Sequence, residues 1–301
     1  MFTFERVGPK TTARVPPGFD DRPYERFGLS PLTPTIGAEI AGVDLGDSLD
    51  DELRRDLHRA LLEWKVLFFR GQDLTRAQHR TFARHWGQLE QHPFFRYTQP
   101  CQTEADVVTL AKDAQTAGYE NIWHHDITWH TTPSLGAVLR AVEVPALGGD
   151  TLWADAAGAY DLLPEDVRRR LDGLEAEHDW RSSFGLGMPP EVVEELAPQF
   201  PPAVHPVVRV HPETGRKGLF VNRIFTQRIL GLEPDESSAL LERCFAQYEL
   251  PEVQCRFRWT PGAVAFWDNR ATLHYASSDY HPQRRVMERI SIAGDRPVGP
   301  A

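Results

Sequence analysis

Between Leu49 and Lys65, the apolar residues Leu53, Leu57, Leu61 and Leu62 recur among charged ones at helical spacing, predicting a helix capped by Asp47 or Ser48. The run VLFFR at 66–70 predicts a buried strand, and Thr75–Trp86 predicts a second helix with Phe82 on its inner face. Upstream, IGAEIAGVDL alternates from Ile36 in the manner of a strand. Residues 1–34 carry prolines at 9, 16, 17, 23, 31 and 34 and predict an extended arm. Past residue 100 the text breaks into short strand-like runs: VVTL (107–110), LGAVLRAVEV (135–144), DTLWA (150–154), HPVVRV (205–210), GLFVN (218–222), QCRFRW (254–259), AVAFWD (263–268) and RVMERISIA (285–293). Helical patterns interrupt at about 155–174 and 234–248, the second capped by Asp235. A doubly wound parallel sheet needs a helix between most strands, which this order lacks. The expectation is an α+β fold with a double-stranded β-helix core, a cupin-like jelly roll with helical insertions, forming a single domain over 35–301 behind the 1–34 arm.

Composition narrows the function. The 301 residues are 41% hydrophobic and 25% charged, the make-up of a globular chain. Forty-three acidic against 33 basic residues give a net charge of −10, so no basic face for nucleic acid is expected. No apolar run approaches the roughly 20 residues of a membrane span. Cys101, Cys244 and Cys255 form no CxxC pair and suit a reducing compartment. The opening MFTFERVGPK has no apolar export segment, and a cytoplasmic location is expected.

Most of the twelve histidines read as packing or surface residues: His58, His79 and His85 on helices, and His130 and His281 in loops. His124 and Asp126 differ. Two apart on an extended segment, they share a face, while His125 points the other way. An imidazole and a carboxylate so placed can give two ligands to a metal. His274, after a turn made by Asp268 and Asn269, is the candidate third, completing a 2-His-1-carboxylate set with open positions. A second His-x-acid pair, His211 and Glu213, lies in HPETGRKG, which reads as a structural hairpin turn.

Arg285 and Arg289 follow His274 by 11 and 15 residues and share one strand face with Met287. Should that face line the interior, each guanidinium requires an anion. Its planar fork suits a carboxylate or sulfonate. Two anions beside one metal would be a keto-diacid co-substrate and an anionic substrate.

With these residues in hand, the chain resembles the taurine dioxygenase and 2,4-dichlorophenoxyacetate dioxygenase family of Fe(II)- and 2-oxoglutarate-dependent oxygenases. The resemblance runs over roughly residues 30–295 through TIGAEIAGVDL, LEWKVLFFRGQ, WHHDITW, GGDTLWAD, HPVVRVHPETG, LFVN, WDNRATLHYA and the two arginines. It implies that His124, Asp126 and His274 ligate Fe(II). It implies that Arg285 grips the distal carboxylate of 2-oxoglutarate with help from Thr151, and that Arg289 and His92 hold the substrate's acidic head. Phe225 becomes an aromatic wall, Asn121 falls at a substrate-side asparagine, and Trp267 packs beside the iron. Phe95 stands where taurine enzymes carry tyrosine, and Phe94, Phe95 and Tyr97 make the entrance aromatic.

The implied activity couples oxidative decarboxylation of 2-oxoglutarate by O2 to hydroxylation of the carbon beside an anionic head group. With taurine or a related alkanesulfonate, the first candidates, the products are an aldehyde and sulfite with succinate and CO2. An alkyl sulfate ester or an aryloxyalkanoate would suit the same chemistry. Dimers or tetramers are implied by the same analogy. Two other readings stay open from residues alone. A zinc hydrolase on the same three ligands gives no reason for Arg285. A non-catalytic cupin-like module binding a small anion gives none for an intact ligand set.

Overall fold

The computed structural model describes residues 8–94, 97 and 104–301. Its largest layer is a seven-stranded sheet ordered β1-β2-β3-β13-β5-β15-β4. These strands are β1 (Gly28–Pro31), β2 (Ala38–Ala41), β3 (Val66–Phe69), β4 (Val108–Lys112), β5 (Gly136–Glu143), β13 (Val264–Asp268) and β15 (Arg285–Ile292). Facing it is a three-stranded sheet of β12 (Gln254–Phe257), β6 (Thr151–Asp155) and β14 (Thr272–Ala276), in that order. A second three-stranded sheet holds β7 (Glu175–His178) between β11 (Thr226–Ile229) and β8 (Ala203–Pro206), and β9 (Val208–Val210) forms a hairpin with β10 (Lys217–Leu219). Strands packed face to face with helical insertions make this the expected jelly roll.

Strand periodicity explains why β3 reads as an unbroken apolar run. Val66 and Phe68 enter the core between the facing sheets with Trp153 and Phe257, while Leu67 and Phe69 turn to the helices outside. β13 divides likewise, Ala265 and Trp267 inward and Val264 and Phe266 outward. Those helices are α1 (Asp51–Trp64) and α2 (Arg76–Arg84), which bury Leu57, Leu61, Trp64 and Phe82. Phe82 is on the inner face as expected, and Thr75 and Gln78 close a capping box at the start of α2.

Several boundaries differ from expectation for local reasons. The cap of α1 is Asp50, whose carboxylate accepts from the Leu53 amide at 2.8 Å; Asp47 is held in a preceding turn by the Asp44 carbonyl. The helical stretch at 155–174 is two helices, α3 (Ala156–Asp161) and α4 (Glu165–Leu171), because Pro164 breaks the ladder. A helix α5 (Pro190–Leu196) went unanticipated. In α6 (Pro234–Tyr248) proline takes the first position, so Asp235 falls inside the first turn and Glu233 sits at the cap. HPVVRV is split between β8 and β9: Pro206 has no N–H, and the chain changes partner there. The β9–β10 hairpin turns through HPETGRKG as expected. β1 pairs with β2, so the end of the segment read as an arm is the edge strand of the main sheet.

Candidate active site at the β13–β14 hairpin

β14 carries His274, and the segment containing His124 pairs with it through main-chain bonds in both directions, 3.0 Å from the His124 amide and 2.8 Å from the His274 amide. The two imidazole centroids are 4.2 Å apart. One ligand atom each from His124, Asp126 and His274 can be chosen within 4.8 Å of one another, the sole such His/Cys/Asp/Glu group among the described residues. His124 Nδ1 lies 2.8 Å from the Ile122 carbonyl; donating there leaves Nε2 with its lone pair free. Asp126 Oδ2 is buried without a hydrogen-bond partner, and so is His274 Nδ1. Burial opposes charge on Asp126, yet Arg289 and the neighbouring imidazoles hold the carboxyl well below its ordinary range. Burial also pushes His274 down to about 3, keeping its ring neutral. Two imidazole nitrogens and a bare carboxylate oxygen are the donor set a divalent first-row metal requires, so the residues fit the metal expected of them.

The inward face of β15 meets the condition set by the sequence. Met287 belongs to the core between the sheets, and Arg285 and Arg289 flank it. A small chamber of about 70 Å³ runs from His124 and His274 to Thr151, Tyr280 and Arg285. Arg285 is 6% exposed, and its Nε and Nη2 have no hydrogen-bond partner. Burial lowers its pKa from the ordinary guanidinium value. Thr151 Oγ1 accepts from the Trp259 indole at 2.9 Å, leaving its own proton to donate. In GGDTLWAD, Gly149 has φ of +71° and a Cβ there would stand 3.1 Å from Arg285 Cδ, so the glycine leaves room for the guanidinium stem. Trp267 lines this chamber with its ring 5.2 Å from that of His274.

A larger chamber of about 940 Å³ adjoins the small one, sharing His124 and Arg289 with it and bordered also by Asp126. His92, Phe225 and Arg289 line the larger chamber together with Ile127, Phe184 and Met188. Arg289 Nη1 donates to Asp126 Oδ1 at 2.8 Å. His92 Nδ1 accepts from the Phe94 amide, so the neutral ring carries its proton on Nε2; burial, then Arg289, lower it to about 4. Asn121 is exposed and lines neither chamber, Ile122 facing the larger one instead. Phe95 lies outside the described residues, as does Cys101. His125 is buried against Phe220, on the side away from the chambers. His211 bonds Asp268 at 3.0 Å and Glu213 pairs with Arg270, a structural network as expected.

Sequence reasoning missed Phe184, Leu186 and Met188, which form a short turn in FGLGM with no periodic signal. It also read Asn269 only as a turn former. No helix among the described residues is long and apolar enough to cross a membrane, and Cys244 and Cys255 are free and buried.

Residues 29–291 match the family described as taurine catabolism dioxygenase TauD, TfdA family. The chain is 38% identical over 279 residues to an alpha-ketoglutarate-dependent sulfate ester dioxygenase of Pseudomonas putida, covering 90% of this chain and 91% of that one. It is 37% identical over 289 residues to an alkylsulfatase of Acinetobacter baylyi, covering 93% and 89%. The crystal structure of a taurine dioxygenase from Burkholderia xenovorans superposes with a TM-score of 0.78 at 37% identity, covering 91% of this chain and 93% of that one. These matches set aside the zinc hydrolase and the non-catalytic module: the chain belongs to the TauD/TfdA family and is a dioxygenase dependent on Fe(II), 2-oxoglutarate and O2.

Proposed function

We propose that the protein hydroxylates the carbon next to the anionic head of a small organic acid with an apolar tail, an alkyl sulfate ester or longer alkanesulfonate ranking ahead of taurine. The observation that carries this reading is the pair of chambers sharing His124 and Arg289: the smaller, about 70 Å³, ends on the buried Arg285, and the larger, about 940 Å³, adds the apolar side chains of Ile127, Phe184, Met188 and Phe225. Its volume lies near the upper end of ordinary ligand pockets, about 300–1,000 Å³. A two-carbon aminosulfonate would leave most of it empty and has no tail for Phe184, Met188 and Phe225. The similarity to a sulfate ester dioxygenase and an alkylsulfatase points the same way.

In this reading His124, Asp126 and His274 hold Fe(II), which when bound supplies the coupled decarboxylation of 2-oxoglutarate and hydroxylation of a substrate C–H. Arg285 and Thr151 bind the distal carboxylate of 2-oxoglutarate, giving the buried guanidinium its counter-charge. The substrate's head takes Arg289 and the Nε2–H of His92, while the phenyl walls exclude water and hold the tail. Fixed at its head, the substrate presents the adjacent carbon to the triad, and this placement selects the reacting bond. A hydroxylated carbon bearing sulfate collapses to an aldehyde and sulfate; one bearing sulfonate gives the aldehyde and sulfite. Assembly into a dimer or tetramer is carried with the proposal, read by light scattering.

The test supplies Fe(II), 2-oxoglutarate and ascorbate with alkyl sulfates and alkanesulfonates of rising chain length, taurine and an aryloxyalkanoate, and follows succinate with sulfate or sulfite. KM is expected to fall as the chain lengthens. A preference for taurine over every longer acid would overturn the tail reading.

A further inference from the structure

Asp126 is aimed by its main chain. It sits where the extended segment leaves its pairing with β14, and its Oδ2 has no protein partner. The residue that follows, Ile127, is buried and holds φ of +44°, a left-handed conformation that a β-branched side chain disfavours. Something must over-determine so costly a turn.

That support comes from Asn269. Its Oδ1 accepts from the Asp126 amide at 2.8 Å. Its Nδ2 donates to the Asp126 carbonyl at 3.3 Å and to the Ser134 carbonyl at 3.1 Å. Its own amide is tied to the Leu135 carbonyl at 2.8 Å, and the residue is 1% exposed. The carboxamide thus engages both main-chain polar groups of Asp126, as a neighbouring strand would. Asn269 also lies five positions before His274 in the same hairpin, whose β14 arm bonds the His124 main chain. One hairpin carries one ligand, pairs with the second and clamps the third.

We infer that Asn269 is a positioning residue for the metal: its side chain acts as a surrogate peptide that holds Asp126 in register with His124 and His274. The inference rests on the triad reading above. Outer partners of metal ligands are typically worth about 10–100-fold in affinity, so Asn269→Ala is expected to weaken the site by that factor.

The test titrates Co(II) into the full-length protein, reading affinity by calorimetry and ligand geometry by the visible Co(II) absorption. Gln72→Ala serves as the matched control, because Gln72 is another buried amide bracing main chain, bonding the Leu45 amide and the Val43 carbonyl away from the chambers. Asn269→Ala should lose affinity and alter the absorption; Gln72→Ala should keep both while losing comparable thermal stability. Should Asn269→Ala not fold, Asn269→Asp keeps the acceptor but turns an oxygen toward the Asp126 and Ser134 carbonyls in place of the donors, and its affinity should likewise fall below parent. Parental affinity in either Asn269 variant, or an equal loss in Gln72→Ala, overturns the inference. Failure of the parent to bind Co(II) would instead sink the triad reading.

Discussion

Arg289, which borders both chambers, forms a partly buried ion pair with Asp126 at 2.8 Å. The arginine assigned to the substrate therefore already touches the carboxylate assigned to the metal. An anionic head entering the larger chamber would compete for that guanidinium, so substrate arrival is felt at Asp126 before any chemistry begins.

Arg289→Ala should therefore separate the two small molecules. Truncating one member of a desolvated charge pair costs about 2–5 kcal/mol in binding, so substrate KM is expected to rise roughly 100-fold. The 2-oxoglutarate KM should move far less. Steady-state kinetics with each varied in turn decides it, and equal increases would refute the division of roles.

Asp126→Ala removes the carboxylate of the triad. Substrate-coupled succinate release is expected to vanish, and the protein should emerge from dialysis without bound iron. Normal succinate yield in this variant would end the triad reading.

Arg285 is a buried cation with two unpartnered nitrogens. Burying such a charge without its anion is unfavourable, and an apolar residue of similar size is often neutral or stabilising. Arg285→Met should melt no lower than parent without ligand. With Mn(II) present, 2-oxoglutarate at 100 times its Kd should stabilise the parent by about 2.7 kcal/mol and leave the variant unmoved. Differential scanning calorimetry reads both.

Acid sensitivity should come from buried neutral histidines. Burial is the main cause holding His79 and His205 at about 4 against an ordinary 6.5. Both bind protons more readily unfolded, so their folded-state neutrality costs nothing above pH 6.5 and stability falls from there toward pH 4. Each accounts for about 3 kcal/mol by the lower limit. His79→Gln should flatten the decline in denaturation midpoint between pH 7 and 5; an unchanged slope would show that His79 contributes none of it.

What could be read from the sequence was local. His124 and Asp126 announce themselves because strand periodicity puts them on one side, and Arg285 with Met287 and Arg289 for the same reason. β3 and β13 were legible as apolar runs, whereas β7, with Glu175 and Glu177 around buried Ala176 and His178, hides its inward face behind a histidine. Asn269 looked like a turn former because its partners, Asp126 and Ser134, lie more than 130 positions away. Phe184 and Met188 carry no pattern at all; only tertiary packing brings FGLGM to the chamber. Gly149 could be seen as part of a Gly-Gly pair, but not that Arg285 passes beside it.

Four residues, Leu110, Glu120, His124 and Arg289, border both chambers. The opposite side of the larger one is furnished by connecting segments, around Phe184 to Met188 and Ile224 to Phe225, which belong to neither of the facing sheets. Those segments are free to drift without touching the shared partition. A lineage built on this scaffold could thus diversify the acids it accepts while inheriting its oxidative apparatus unaltered.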